Sequence, residues 1–173
     1  MSGRADSSLA GSPDHSALYA VLDTVTDPEV PVLTVLDLGV VRDVQQAPDG
    51  KVTVTITPTY SGCPAMNVIE INIRAALQEA GYDAVEVRTV LRPAWTTAWM
   101  TQRGKDRLRE YGIAPPQEAT ADPLALFGEA KVVPCPQCQS THTKLISQFG
   151  STACKAMYKC LDCLEPFDYF KCL

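Results

Sequence analysis

Membrane spans and export signals are missing from this sequence. No apolar run approaches the roughly 20 residues that crossing a bilayer takes. The opening "MSGRADSSLAGS" has no hydrophobic centre of the kind a secretory signal needs. The expectation is a soluble, cytoplasmic protein that begins with a disordered tail over residues 1–12. Histidine is almost absent too: His15 falls in an expected first helix and His142 among the C-terminal cysteines. No Cys–His nucleophile pair is therefore indicated for the first part of the chain. A Gly-rich phosphate loop and an H-E-x-x-H helix are also lacking. Basic residues are in deficit, with a net charge of −5. Residues 1–130 hold ten basic against seventeen acidic side chains, which opposes a nucleic-acid partner. Residues 131–173 differ, with five lysines against three acids.

Cysteine is plentiful: seven in 173 residues, of which Cys135, Cys138, Cys154, Cys160, Cys163 and Cys172 crowd the C-terminal end. Without an export signal, such clustering argues for reduced thiols and metal rather than disulfides. "CPQC" at 135–138 and "CLDC" at 160–163 are two Cys-x-x-Cys turns 21 residues apart. Each turn presents two thiolates to one tetrahedral ion, and the residues between suffice for the strands of a zinc ribbon. Cys135, Cys138, Cys160 and Cys163 are the expected zinc ligands. An Fe–S cluster is the alternative, since thiolates serve both. Four thiolates on Zn²⁺ leave a formal charge of −2, which Lys144, Lys155 and Lys159 are expected to offset. Cys154 and Cys172 are left over. Cys154 lies in a polar turn beside Lys155, which would favour a thiolate, and an inert buried thiol is the alternative.

The chain reads as two modules. Pro13 and the stripe Leu18, Val21, Leu22, Val25 predict a helix over 13–25 with Ser12 as its cap. "TDPEVPVLTVLDLGV" holds two prolines and reads as an ordered loop. Alternation on both sides of "APDG" predicts a hairpin with strands at 39–46 and 51–58. Met66, Ile69, Ile73 and Leu77 predict a helix over 64–80, stopped by Gly81. "DAVEVRTVL" reads as a third strand, and the segment to Gly112 as turn and helix. A Pro-, Ala- and acid-rich linker is expected at 113–131. The fold class is thus α+β over 13–112, with a small sheet and helices, followed by a zinc ribbon over 132–173.

Cys63, in "TYSGCPAMN", stands just before the second helix. Free N–H groups and the positive end of the helix dipole favour a thiolate there, and Gly62 removes a side chain that would screen the sulfur. Free cysteine is also among the most buried residue types, so a reactive and a structural Cys63 are evenly matched on these grounds. Asp27, Glu29 and Asp37 cluster in sequence, though carboxylates in a Pro-rich loop are commonly turn and cap residues.

The run "DPEVPVLTVLDLGVVRDV" followed by "VTITPTYSGCPAM" resembles the MIP18-like family, formerly DUF59, of iron–sulfur assembly factors and SufT-like proteins. "LRPAWTTAWMTQRGKDRLREYGIAPP" and "GSTACKAMYKCLDCLEPFDYFKC" are similar to one branch, the PaaD-like proteins of aerobic phenylacetate degradation. This resemblance implies a role beside the multicomponent phenylacetyl-CoA epoxidase. The chain lacks both a di-iron helical bundle and a flavin or nicotinamide fingerprint, so no catalytic activity of its own is expected. The implied role is that of a maturation factor inserting an Fe–S cluster or iron into the epoxidase's flavin and [2Fe–2S] reductase. Cys63 would be the reactive thiol and transient ligand for iron or a cluster, oriented or assisted by Asp27 and Glu29. Cys154 and Cys172 are candidates for extra ligands. A non-catalytic structural subunit is the alternative, and a homodimer is kept open.

Overall fold

A computed structural model describes residues 15–117 and 132–171. The tail, most of the expected linker and Cys172 lie outside the described residues.

Helix α1 (Ser16–Leu22) is shorter than its periodicity predicts. Residues 23–25 leave the helix in a turn, with Thr24 N bonded to Val21 O at 3.0 Å and Val25 N to Leu22 O at 3.1 Å. Thr26 and Thr34 then bridge the ends of the Asp-Pro-Glu loop, which is ordered as expected. The hairpin consists of β1 (Val41–Gln46) and β2 (Val52–Ile56). On β2 the alternation is complete: Val52, Val54 and Ile56 are buried and the two threonines half-buried. Helix α2 (Ala65–Glu79) buries Ala65, Ile69, Ile73 and Leu77 on one face, the spacing that 3.6 residues per turn requires. It returns the chain to β3 (Val85–Thr89), which runs parallel to β2. The sheet, in order β1-β2-β3, is therefore mixed, with an antiparallel hairpin and a parallel β-α-β crossover sharing β2. A single 3-10 turn (Thr97–Trp99) leads to α3 (Gln102–Glu110), capped by Thr101, whose Oγ1 accepts from Gly104 N at 2.9 Å.

Asp37 ties α3 to the loop before β1. Its side chain is fully buried, and it accepts from Arg103 Nε at 2.7 Å, Thr101 Oγ1 at 2.8 Å, Arg107 Nη1 at 2.8 Å and Thr34 N at 3.3 Å. Arg103 also grips Asp23 at the end of α1. Two residues on, Gly39 has φ +71°, and a Cβ there would stand 2.3 Å from the Trp99 carbonyl oxygen. Both the backbone angle and the close approach demand glycine. Gly39→Ala is expected to destabilise the fold by at least about 2 kcal/mol, read as a lowered midpoint in urea unfolding.

The second sheet contains a strand that the sequence reading does not anticipate. Ile113 and Ala114, where a linker is expected, form β4 and pair in parallel with β7 (Pro166–Phe170). The other strands, β5 (Thr143–Ser147) and β6 (Lys155–Cys160), complete the order β4-β7-β6-β5. A small core of Val133, Ala156, Tyr158, Phe167 and Tyr169 lies under this sheet, with the Tyr158 and Phe167 rings stacked at 5.9 Å. Phe170 and Cys154 belong instead to the large core of the first part of the chain, and Phe170 meets Trp95 edge-on at 6.3 Å. The second sheet is thus seated on the first unit. No helix among the described residues is long and apolar enough to cross a membrane.

Candidate metal centres

The two Cys-x-x-Cys turns close on each other. Cys135 pairs with Cys163 at 3.7 Å and Cys138 with Cys160 at 3.6 Å, and all four sulfurs lie within 4.8 Å of one another. A tetrahedral ion with metal–sulfur bonds of about 2.3 Å sets its sulfurs about 3.8 Å apart. The cage therefore fits one ion. A cluster would put the thiolates on separate irons and hold the sulfurs further apart.

The two turns are built alike. Cys135 N bonds to Ser140 O and Cys160 N to Glu165 O, each at 2.9 Å and each five residues on. Gln139 and Leu164, each following the second cysteine of its turn, have φ of 63° and 65°. Backbone N–H groups from Cys163 and Asp162 lower the Cys160 thiol to about 6, against burial. Against a backbone N–H from Glu165, burial and the neighbouring cysteines push Cys163 up to about 12, so full ionisation of the four thiols awaits the metal itself. Asp162, at the cage's edge, also bonds Ser140 and His142.

One expectation is overturned here. Lys155 does not stand by the cage to offset its charge. It is the first residue of β6 and Cys160 the last, so they are about 16 Å apart along the strand. Lys155 is 6% exposed and faces Asp168, 3.7 Å away. Lys144 and Lys159 pair across β5 and β6, one step from Cys160.

A second group of titratable side chains gathers where the two sheets' units meet. Asp27 is buried, and its Oδ1 accepts from Glu29 N and Val30 N, both at 2.8 Å. It shapes the turn that presents Glu29. Burial pushes the Asp27 carboxyl up, against those two N–H groups and nearby Lys155. The Glu29 carboxyl is also pushed up, by burial and then by Asp27. The Cys154 thiol approaches Glu29 Oε2 at 4.0 Å and Thr152 Oγ1 at 3.1 Å. Burial raises Cys154 as well, and Glu29 and Asp27 add to the rise, outweighing Lys155. Of the two readings of Cys154, a lysine-favoured thiolate and a buried thiol, the burial and the facing carboxyl favour the second.

Cys63 is half-buried, one residue ahead of the Pro64 cap of α2. Its carbonyl accepts from Met66 N and its N–H bonds to Tyr60 O, both at 3.3 Å. Gly62 has φ +85° and nothing within 4 Å of where a Cβ would be. The positive φ is one reason for glycine here. The Tyr60 hydroxyl is pushed up to about 12 by burial, then by the Cys63, Glu29 and Cys154 side chains.

The sequence reading names Cys63, Asp27, Glu29 and Cys154, gives Lys155 a place by the cage rather than beside these residues, and does not single out Tyr60. Tyr60 sits three residues before Cys63, and only the φ +85° turn at Gly62 brings the two together. Asp37, grouped with Asp27 and Glu29 in sequence, anchors α3 instead. Neither histidine supplies a base to Cys63: His15 precedes α1, and His142 is bonded to Asp162.

A family model described as an iron–sulfur cluster assembly protein matches residues 15–89, and one described as the PaaD zinc beta ribbon domain matches residues 119–171. Over 161 residues the chain is 51% identical to a "Putative 1,2-phenylacetyl-CoA epoxidase" subunit of Escherichia coli K12, covering 93% of this chain and 94% of that protein. It is 37% identical over 86 residues to an Fe-S protein maturation auxiliary factor of Porphyromonas gingivalis, covering 49% of this chain and 81% of that one. A solved domain of unknown function, DUF59, from Bacillus anthracis matches at 31% identity and a TM-score of 0.49, covering 53% of this chain and 87% of the other.

Proposed function

This chain belongs to the iron–sulfur cluster assembly protein family, in the branch that carries a PaaD zinc ribbon, and from that premise we propose that it matures an epoxidase. Its client is the flavin and iron–sulfur reductase of a phenylacetyl-CoA epoxidase, and its cargo is iron or an Fe–S cluster. The observation that carries this reading is the half-buried Cys63 thiol standing just ahead of α2, inside the stretch that the assembly family model matches. The names of the two relatives, one an epoxidase subunit and the other a maturation auxiliary factor, support the two halves of the role.

In this reading Cys63 is the half-exposed thiol that takes and releases the cargo, and Glu29 offers a carboxylate oxygen. Asp27 acts through the turn it holds, fixing where Glu29 stands. A carboxyl raised by burial costs stability while ionised, and a nearby cation relieves that cost. The ribbon's own ion is zinc, held permanently, and serves the fold. Purified chain is expected to be colourless with one zinc per chain; a brown protein with visible absorption would contradict this. The work is done on a protein client, and no small-molecule turnover is assigned to the chain.

The test is the reductase's content when it is produced together with a Cys63→Ser chain. Iron and acid-labile sulfide per reductase are expected to fall several-fold, while the variant keeps its zinc and its helical content. A fully loaded reductase would overturn the role. The naming of the Escherichia coli relative as a component of the epoxidase favours a second reading, a structural part of the complex. That reading requires co-purification at a fixed ratio and indifference to Cys63→Ser.

A further inference from the structure

We infer that Asp162 is a positioning residue that latches the exposed edge of the four-cysteine cage, through Ser140 and His142, and so slows exchange of the ion held there. The latch stands on the ribbon's own geometry and depends neither on the maturation role nor on a client.

Cys135 and Cys160 are buried, whereas Cys138 and Cys163, the second cysteine of each turn, are exposed. A chelator or a competing metal therefore meets the cage at Cys138 and Cys163. Asp162 stands immediately before Cys163, and Ser140 two residues after Cys138. The Ser140 hydroxyl donates to Asp162 Oδ2, and the other carboxylate oxygen, Oδ1, meets His142 Nδ1 at 3.1 Å. Ser140 Oγ also accepts from His142 N at 3.0 Å, which closes the three residues into one group. Ser140 is tied to the first turn, its carbonyl accepting from Cys135 N at 2.9 Å, and Leu161 N, inside the second turn, reaches His142 O at 2.8 Å. Among the described residues, and apart from the sulfurs themselves, no other side-chain hydrogen bonds join the first turn's segment to the second turn.

Charge does not account for a carboxylate at this place. Zn²⁺ with the four thiolates carries a formal −2, and a further negative charge beside it is repelled. When the ion leaves, the thiols take up protons and that repulsion falls. By charge alone Asp162 would speed release. Its bonds act in the opposite sense. A thiolate that lets go of the ion recaptures it only while the two turns stay together, because the local concentration of the remaining ligands then favours rebinding over loss. Asp162 and His142 are 56% and 67% exposed, so their contact adds little to the stability of the fold, and its effect falls on the rate of exchange. In a chain whose proposed cargo is iron, a latched cage keeps its own ion from trading with that cargo.

The full chain, loaded with zinc, is mixed with excess pyridylazoresorcinol, which reports the ion as it leaves. Asp162→Ala is expected to speed release by about tenfold, while the thermal midpoint of the zinc-loaded chain stays close to that of wild type. Asp162→Asn keeps an acceptor for Ser140 and offers an amide donor to His142 Nδ1, so it should release near the wild-type rate. Ser140→Ala should approach Asp162→Ala, and the double variant should be no faster than the faster single one. Ser140→Ala also reads the same bond from its other end if Asp162→Ala folds poorly. Release from either alanine variant at the wild-type rate or slower, or an Asp162→Asn chain as fast as Asp162→Ala, would overturn the inference. Zinc release is measured without the reductase, so that failure leaves the maturation role untouched, and a reductase fully loaded beside Cys63→Ser leaves the latch standing.

Discussion

Chelating the ribbon's metal, or replacing Cys135 by Ser, is expected to collapse the second sheet and to lower the melting temperature of the whole chain. The four cysteines close the two turns from which β5, β6 and β7 start or end, and the core beneath them is small. A structural Zn²⁺ in such a cage contributes about 10–16 kcal/mol of apparent binding free energy at neutral pH, more than so small a core supplies by burial. The loss should spread beyond the ribbon because Phe170 and Cys154 are packed in the large core. Far-ultraviolet circular dichroism should show strand signal lost on chelation and regained on adding zinc, and thermal unfolding should shift downward for the remaining helices too. Survival of an unchanged melting transition after complete removal of the metal would contradict the packing of Phe170 and Cys154 into that core.

The second large effect concerns Asp37. Replacing it by Ala removes the acceptor of Arg103, Arg107, Thr101 and Thr34 at once. Breaking a buried ion pair costs about 3–5 kcal/mol, and the low end applies here because the guanidinium groups regain water easily. Arg103 and Arg107 are 45% and 40% exposed. The pH dependence gives a second readout. Burial alone would push the Asp37 carboxyl up, but the bonds from Arg103, Thr101 and Thr34 and the Arg103 charge hold it below its ordinary 3.8. A depressed carboxyl stabilises the fold fully above its unfolded value, and that contribution is lost as pH falls through the folded value. The stability gap between wild type and Asp37→Ala is therefore expected to be constant near neutrality and to narrow only below pH 3.8. Urea unfolding at several pH values measures it.

Local patterns in the sequence located most elements. The β2 alternation and the α2 stripe are written in residues two, three and four apart, so the hairpin and the long helix are legible without knowledge of anything distant. The metal cage was legible for the same reason: each half is a four-residue motif with its own chemistry. What stayed hidden is non-local. Ile113 and Ala114 are too few to announce a strand, and only Asp168 and Tyr169, over fifty residues later, make them one. Lys155 reads as a ribbon surface charge until the packing of β6 turns it inward. That Cys154 returns to Glu29 was equally hidden, since no spacing rule relates residues 125 apart.

The pairing of β4 with β7 alters what the segment between the modules is. A tether has one fixed end for each body it joins and lets them wander; here the chain leaves the second sheet after Ala114 and rejoins it at its far side by residue 143. Both ends of that segment are held by one sheet. Closing a loop costs only about 0.6 kcal/mol more for each doubling of its length. The alignment of the ribbon on its neighbour is set by the β4–β7 pairing and by Phe170 and Cys154 in the large core, and depends little on the number of residues that follow Ala114. The number of residues between Ala114 and Val133 is expected to matter little to Cys154's place opposite Glu29.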